Sequence, residues 1–209
     1  ETMEVKTYQV GQIGTNCYFV GDEASKKGCM IDPGDEAENL IRLWGAFGYK
    51  LSAILVTHGH FDHTTALAAV AAAFPATPVY IRREDVCEGG RPEFWQCAHV
   101  SGMRYVKDGD TIAVGNLIFT VIETPGHTPG GAVFKTAGAL FTGDTLFAGS
   151  CGRVDFPGSD WGQMCASLRR LDALEGDYTV YPGHEWSTTL SRERAGNPYI
   201  RSARQLGNI

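Results

Sequence analysis

At 209 residues, 43% hydrophobic and 20% charged, the chain can bury a proper core and has the composition of an ordinary globular protein, so a single domain spanning 1–209 is the expectation. With 24 acidic residues against 18 basic ones the net charge is −6, and no run of consecutive basic residues is present to track a phosphate backbone, which argues against nucleic acid as a partner. No apolar stretch approaches the ~20 residues that cross a bilayer, and the N-terminus lacks the layout of a signal peptide, so no membrane partner and a cytoplasmic location are expected.

The first third reads as strand. "MEVKTYQV" and "TNCYFVGD" are β-rich, and "GCMIDPG" is a short buried run ending in a turn. A helix should follow. Asp35 and Glu38 have the spacing of a capping box, Ala37, Leu40, Ile41, Trp44 and Phe47 form an apolar stripe, and Gly48 suits the stop. "LSAILVT" is too short for a helix and fits a strand buried on both faces. From Asp62 the pattern turns helical, with Leu67, Val70 and Phe74 on one face and Pro75 at the end.

Residues 76–105 offer one strand, "PVYI", and an irregular polar segment suited to a mobile loop. Beyond it, "DTIAVG" and "NLIFTVIETPG" predict a hairpin around Gly115 and Asn116, followed by strands at "GAVFKT" and "ALFTGD". A helix over 159–174 would bury Trp161, Met164, Cys165, Leu168 and Leu171, and "YTVYPGH" would be the last strand. Strands and then a helix thus occur twice, the pattern of an α/β sandwich of two packed sheets with helices outside. The six cysteines are scattered without a C-x-x-C pair and fit buried reduced thiols, Cys151 among them.

The chemistry concentrates in "VTHGHFDHTT", where His58, His60, Asp62 and His63 follow directly on an apolar strand. In extended chain, residues two apart project to the same side, so His58 and His60 can converge on one ion. Asp62 and His63 lie where the chain becomes helical, and could serve a second ion. Asp62 also admits a plain helix-capping role. His127 in "VIETPGHTPG", Asp144 in "ALFTGDTLF" and His184 in "YTVYPGHEW" each end another apolar strand, where sites are built. His99 reads as an ordinary loop residue. Asp32 in "MIDPG" is either a group that orients a metal ligand or a simple turn aspartate. All of the candidate donors are nitrogen or oxygen, so zinc is the first expectation, with iron or manganese also suited.

These motifs resemble the metallo-β-lactamase superfamily, and within it the glyoxalase II-like (hydroxyacylglutathione hydrolase-like) group, from "NCYFV" and "MIDPG" through "GHTPGGAVF" to "TGDTLFAGSCGR" and "NPYI". The resemblance implies that His58, His60 and His127 hold one divalent metal, that Asp62, His63 and His184 hold a second, and that Asp144 bridges them. It implies hydrolysis of a small-molecule thioester such as S-D-lactoylglutathione by a metal-bridging hydroxide, with Asp62 and Asp144 relaying protons. The chain departs from the group in carrying Thr64 and Thr65 where two glycines are usual, and with about 25 residues after His184 no C-terminal helical glutathione-binding domain is expected. In "CGRVDF", Arg153 stands where the group has a basic substrate contact, but Asp155 stands where an aromatic one is expected. Two alternatives on the same fold remain open: a mononuclear iron persulfide dioxygenase using His127, Asp144 and one motif histidine, and a lactonase or other small-ester hydrolase.

Overall fold

The computed structural model describes residues 2–207, in which alternating side chains on buried strands build three apolar layers. Along the first half run β1 (Met3–Val10), β2 (Thr15–Asp22), β3 (Lys27–Ile31), α1 (Ala37–Phe47), β4 (Lys50–Leu55), α2 (Phe61–Thr64), α3 (Leu67–Ala73), β5 (Val79–Ile81), β6 (Val86–Cys87), β7 (Cys97–Ala98) and β8 (Met103–Tyr105). The second half holds β9 (Thr111–Val114), β10 (Leu117–Glu123), β11 (Ala132–Thr136), β12 (Ala139–Gly143), β13 (Leu146–Phe147), β14 (Ser150–Cys151), α4 (Trp161–Asp172), β15 (Thr179–Pro182), β16 (Thr188–Thr189), α5 (Leu190–Gly196) and α6 (Pro198–Leu206). One six-stranded sheet is ordered β1-β2-β3-β4-β5-β8 and the other β16-β15-β12-β11-β10-β9.

Period two explains the layers. In β2, Cys17 and Phe19 face the helices α1 and α3, while Tyr18 and Val20 face the opposite sheet. In β10 and β12, Phe119, Val121 and Phe141 fill the space between the sheets, whereas Ile122 and Leu140 meet Met164 and Leu168 of α4 and Ile200 of α6. The result is the α/β metallo-β-lactamase type of sandwich expected from the sequence, two mixed sheets with helices outside. Each fully buried Phe or Leu side chain contributes about 1.5–3 kcal/mol relative to exposure.

Some expectations change. The Asp35–Glu38 capping box does not form: Asp35 accepts from the N–H of Glu36 at 2.7 Å, and Glu36, with a left-handed backbone, precedes the helix without capping it. The Glu36 carboxylate is instead committed to the N–H of Gly11 at 2.9 Å. The helical stretch after Asp62 is two helices rather than one, because the Ala66 N–H donates to the Pro33 carbonyl at 3.1 Å. The strand at 179–182 is not the last one, since the two-residue β16 follows and pairs with it, and α5 and α6 complete the chain's helical side. Asn197 starts α6 by accepting from the N–H groups of Tyr199 and Ile200, with Pro198 at the first helical position. Among the described residues no helix is long and apolar enough to cross a membrane, and none of the six cysteines is paired. Cys151 packs against the α4 side of the core, and burial pushes its thiol up to about 12.

Candidate metal centre

Four strands end at one place. β4 runs parallel between β3 and β5 and delivers His58, His60, Asp62 and His63 from its C-terminal end; β10 delivers His127, β12 Asp144 and β15 His184. All seven side chains come together. Ligand-capable atoms of His58, His60 and His127 lie within 4.8 Å of one another, and so do those of Asp62, His63, Asp144 and His184. Asp144 stands between the groups: its Oδ2 is 3.2 Å from His127 Nε2 and 3.3 Å from His184 Nε2, and its Oδ1 is 3.2 Å from His63 Nε2. Gly183 makes this approach possible, because a Cβ there would run into the Asp144 carboxylate and the His63 ring.

Hydrogen bonds behind the rings decide which nitrogen faces inward. His127 Nδ1 donates to the Arg153 carbonyl at 2.7 Å, leaving Nε2 toward the centre. His63 Nδ1 is 2.8 Å from the carboxylate of Asp32, which also accepts from the Thr57 N–H at 2.7 Å and the Thr57 hydroxyl at 2.6 Å. The Thr57 oxygen is 3.0 Å from His58 Nδ1. Asp32, His58 and His63 also form a compact group of donors, but the Asp32 carboxylate is already engaged, so Asp32 orients His63 and is not a simple turn aspartate. It does so from a left-handed backbone with φ 54°, a conformation costing a non-glycine residue about 1–2 kcal/mol.

Burial and mutual charge act unevenly on the rings. Burial and then the neighbouring His127 hold His60 down at about 4, and burial together with His63 holds His58 well below the usual histidine range. Burial also opposes charge on His184, yet its hydrogen bonds to Asp144 and Asp62 raise it to about 9. His63 is likewise raised, by Asp144 and Asp32 against burial. For Asp62, burial is outweighed by hydrogen bonds from His184 and His63, which hold the carboxyl far below the carboxylate range.

The donor set fits a pair of divalent metal ions. His58 Nε2 and Asp144 Oδ1 are buried without a hydrogen-bond partner, and His60 Nδ1 meets His127 Nε2 at 2.9 Å, a costly crowding of lone pairs that a cation at the centre would relieve. Five imidazoles and two carboxylates match the needs of two ions sharing one ligand.

Several participants carry no signal in the sequence. Asp85 is buried and accepts from the N–H of Gly59 at 2.8 Å, the Thr128 hydroxyl at 2.7 Å and the N–H of Gly130 at 2.7 Å, tying the His58–His60 loop to the His127 loop. Thr15 donates to Asp62 Oδ2 at 3.0 Å. Phe94 and Phe156 stack edge-on against His60, closing one side of a cleft of about 500 Å³ over the centre. Arg153 lines that cleft, but its guanidinium is bound by both carboxylate oxygens of Asp155, at 2.7 and 2.8 Å. His99 is exposed and does not line the cleft.

The family described as "Metallo-beta-lactamase superfamily" matches residues 10–184. A probable metallo-hydrolase of Streptococcus pyogenes is 33% identical over 90% of this chain and 86% of its own. The hydroxyacylglutathione hydrolase GloC of Haemophilus influenzae is 29% identical over 96% and 99%. A probable polyketide biosynthesis zinc-dependent hydrolase, BaeB, of Bacillus velezensis is 33% identical over 89% and 79%. Among solved structures, TTHA1623 in a di-iron-bound form superposes with a TM-score of 0.79 at 34% identity, covering 94% of this chain and all of that one. ETHE1 from Myxococcus xanthus gives 0.80 at 28% identity, covering 97% and 91%. With its strand-end histidines and aspartates and this match over most of its length, the chain belongs to the metallo-β-lactamase superfamily and is a metal-dependent hydrolase by family and site.

Proposed function

We propose that the protein hydrolyses small acyl thioesters, and that His58, His60 and His127 hold one metal ion, Asp62, His63 and His184 a second, with Asp144 shared. The observation that carries this reading is the position of Asp144, whose two oxygens reach both groups of histidines beneath an open cleft. Two divalent ions held there, zinc or iron as in the names of the relatives, would polarise the substrate carbonyl and lower the pKa of water toward ~7. The chain itself positions and shields. Asp62, ionised and steadied by the Thr15 hydroxyl, would accept or relay the proton of the attacking water. The Phe94–Phe156 wall limits solvent on the side of His60. Overall, water oxygen joins the acyl carbon, the carbon–sulfur bond breaks, and the thiol leaves with one proton.

GloC and the likeness to it make S-D-lactoylglutathione the first substrate to assay. The test is elemental analysis together with thioester turnover. Wild-type protein should bind about two metal ions per chain, and His60→Ala or Asp144→Ala should lose metal and at least a hundredfold in kcat/KM. Turnover surviving in metal-free variants would end this reading. A persulfide dioxygenase is the competing reading, supported by the resemblance in "TGDTLFAGSCGR", and it would show as one iron per chain with oxygen consumed on a persulfide.

A further inference from the structure

We infer that the cleft prefers thioesters lacking carboxylates remote from the reacting carbonyl, and that Asp155 sets this preference by occupying the guanidinium of Arg153. The inference rests on the thioester reading above and narrows it to a substrate class. Apart from the seven clustered donors, the charged residues lining the cleft are Arg153 and Glu185. Arg153 is therefore the side-chain cation available there to a remote substrate carboxylate, and the Nε edge of its guanidinium is already matched. Its Nε and one terminal nitrogen meet the two Asp155 oxygens in the parallel, two-bond geometry that carboxylates and guanidinium groups favour. Its planar face rests on the Phe156 ring at 4.2 Å, so two of its binding modes are filled from within the chain.

Asp155 is two residues away, and a group tethered that closely competes at an effective concentration of about millimolar or more. A substrate carboxylate present at lower concentration does not displace it from the Nε edge, the one that offers two parallel bonds beside the Phe156 ring. Glu185 adds an acid to the same lining, which further disfavours anions. Apart from Ser150 and the clustered donors, the remainder of the wall is apolar. Ile13, Phe61 and Phe94 are at least half exposed around the opening, and Phe147 and Phe156 line it deeper. Exposed apolar side chains grouped at one opening mark a binding surface for an apolar group. An uncharged thioester with an aliphatic or aromatic acyl chain meets this lining without leaving a carboxylate unmatched.

Two thioesters with the same acyl group separate the effect of charge: S-hexanoyl-N-acetylcysteamine, which is neutral, and S-hexanoylglutathione, which carries two carboxylates. For the metal-loaded wild-type protein the neutral compound should have a kcat/KM at least tenfold higher. Asp155→Asn should move the ratio of the two values about five- to tenfold toward the glutathione compound, through a lower KM for that substrate and not through kcat. Asp155→Glu, which restores the carboxylate, should keep the wild-type ratio. The gain should vanish when Arg153→Met is added to Asp155→Asn, as required if the freed guanidinium is its source. Equal or better use of S-hexanoylglutathione by the wild type, or an unchanged ratio in Asp155→Asn, overturns the inference while leaving thioester hydrolysis standing. Turnover of neither compound nor of S-D-lactoylglutathione removes the thioester reading, and the inference with it.

Discussion

Asp85 shows how a residue that touches no ligand atom can govern the centre. It binds the amide of Gly59, between His58 and His60, and the Thr128 and Gly130 groups just past His127. Asp85→Ala should therefore weaken metal binding about 10–100-fold, with His60 and His127 still present, as seen in competition titrations against a chromophoric chelator. Titration states differ across the centre. In chelated protein at pH 7, His184, raised to about 9, carries a proton, whereas His60, held at about 4, does not. Metal entering the Asp62–His63–His184 group must expel the His184 proton, so calorimetry in buffers of different ionisation enthalpy should register proton release, and affinity there should fall about tenfold for each unit of acidification. The stability linkage has the opposite sign. The raised His184 value stabilises chelated protein fully below pH 6.5, and that contribution is lost as pH rises through about 9. The seven donors are legible in the sequence because each follows an apolar strand. Asp85 and Thr15 are not, because their partners lie 26 to 47 residues away and nothing near either residue marks the meeting.

At the scale of elements, α6 is held by one residue more than by its length. Asn197 accepts from two helix N–H groups, and its Nδ2 donates to the carbonyl of Ser150 and to buried Glu193, both at 3.0 Å. Asn197→Ala should lower stability by about 2 kcal/mol in urea unfolding, above the usual loss for a cap, because it also leaves buried acceptors unmatched. Phe141 faces Tyr18 between the sheets, and Phe141→Ala should cost about 3–5 kcal/mol by the same measurement. Strands and long helices are readable from sequence since burial on both faces or on one stripe leaves a periodic trace. The Asp35–Glu38 spacing misleads because a tertiary contact, Glu36 with Gly11, recruits the local chain. The asparagine–proline pair at the start of α6 is a signal visible in the sequence.

Across the whole molecule, the donors come from both sheets, four from the end of β4 and three from the ends of β10, β12 and β15. Metal held by this donor set would join the two halves, and its removal should be felt as global stability. At a hundredfold excess over Kd one bound ion adds about 2.7 kcal/mol, which for a chain of this size corresponds to a thermal midpoint about 5–10 °C higher. Differential scanning calorimetry with and without chelator should show that shift, and His60→Ala should abolish most of it. The two-sheet plan also divides labour at position 153. Its carbonyl holds the His127 ring, a task any amino acid there can perform, while its side chain faces the cleft and answers to its neighbour Asp155. Inheritance can therefore rewrite which molecules enter, by exchanging residues 153 and 155, without disturbing the reaction that awaits them, and descendants of one ancestral catalyst can part company in diet while sharing their chemistry.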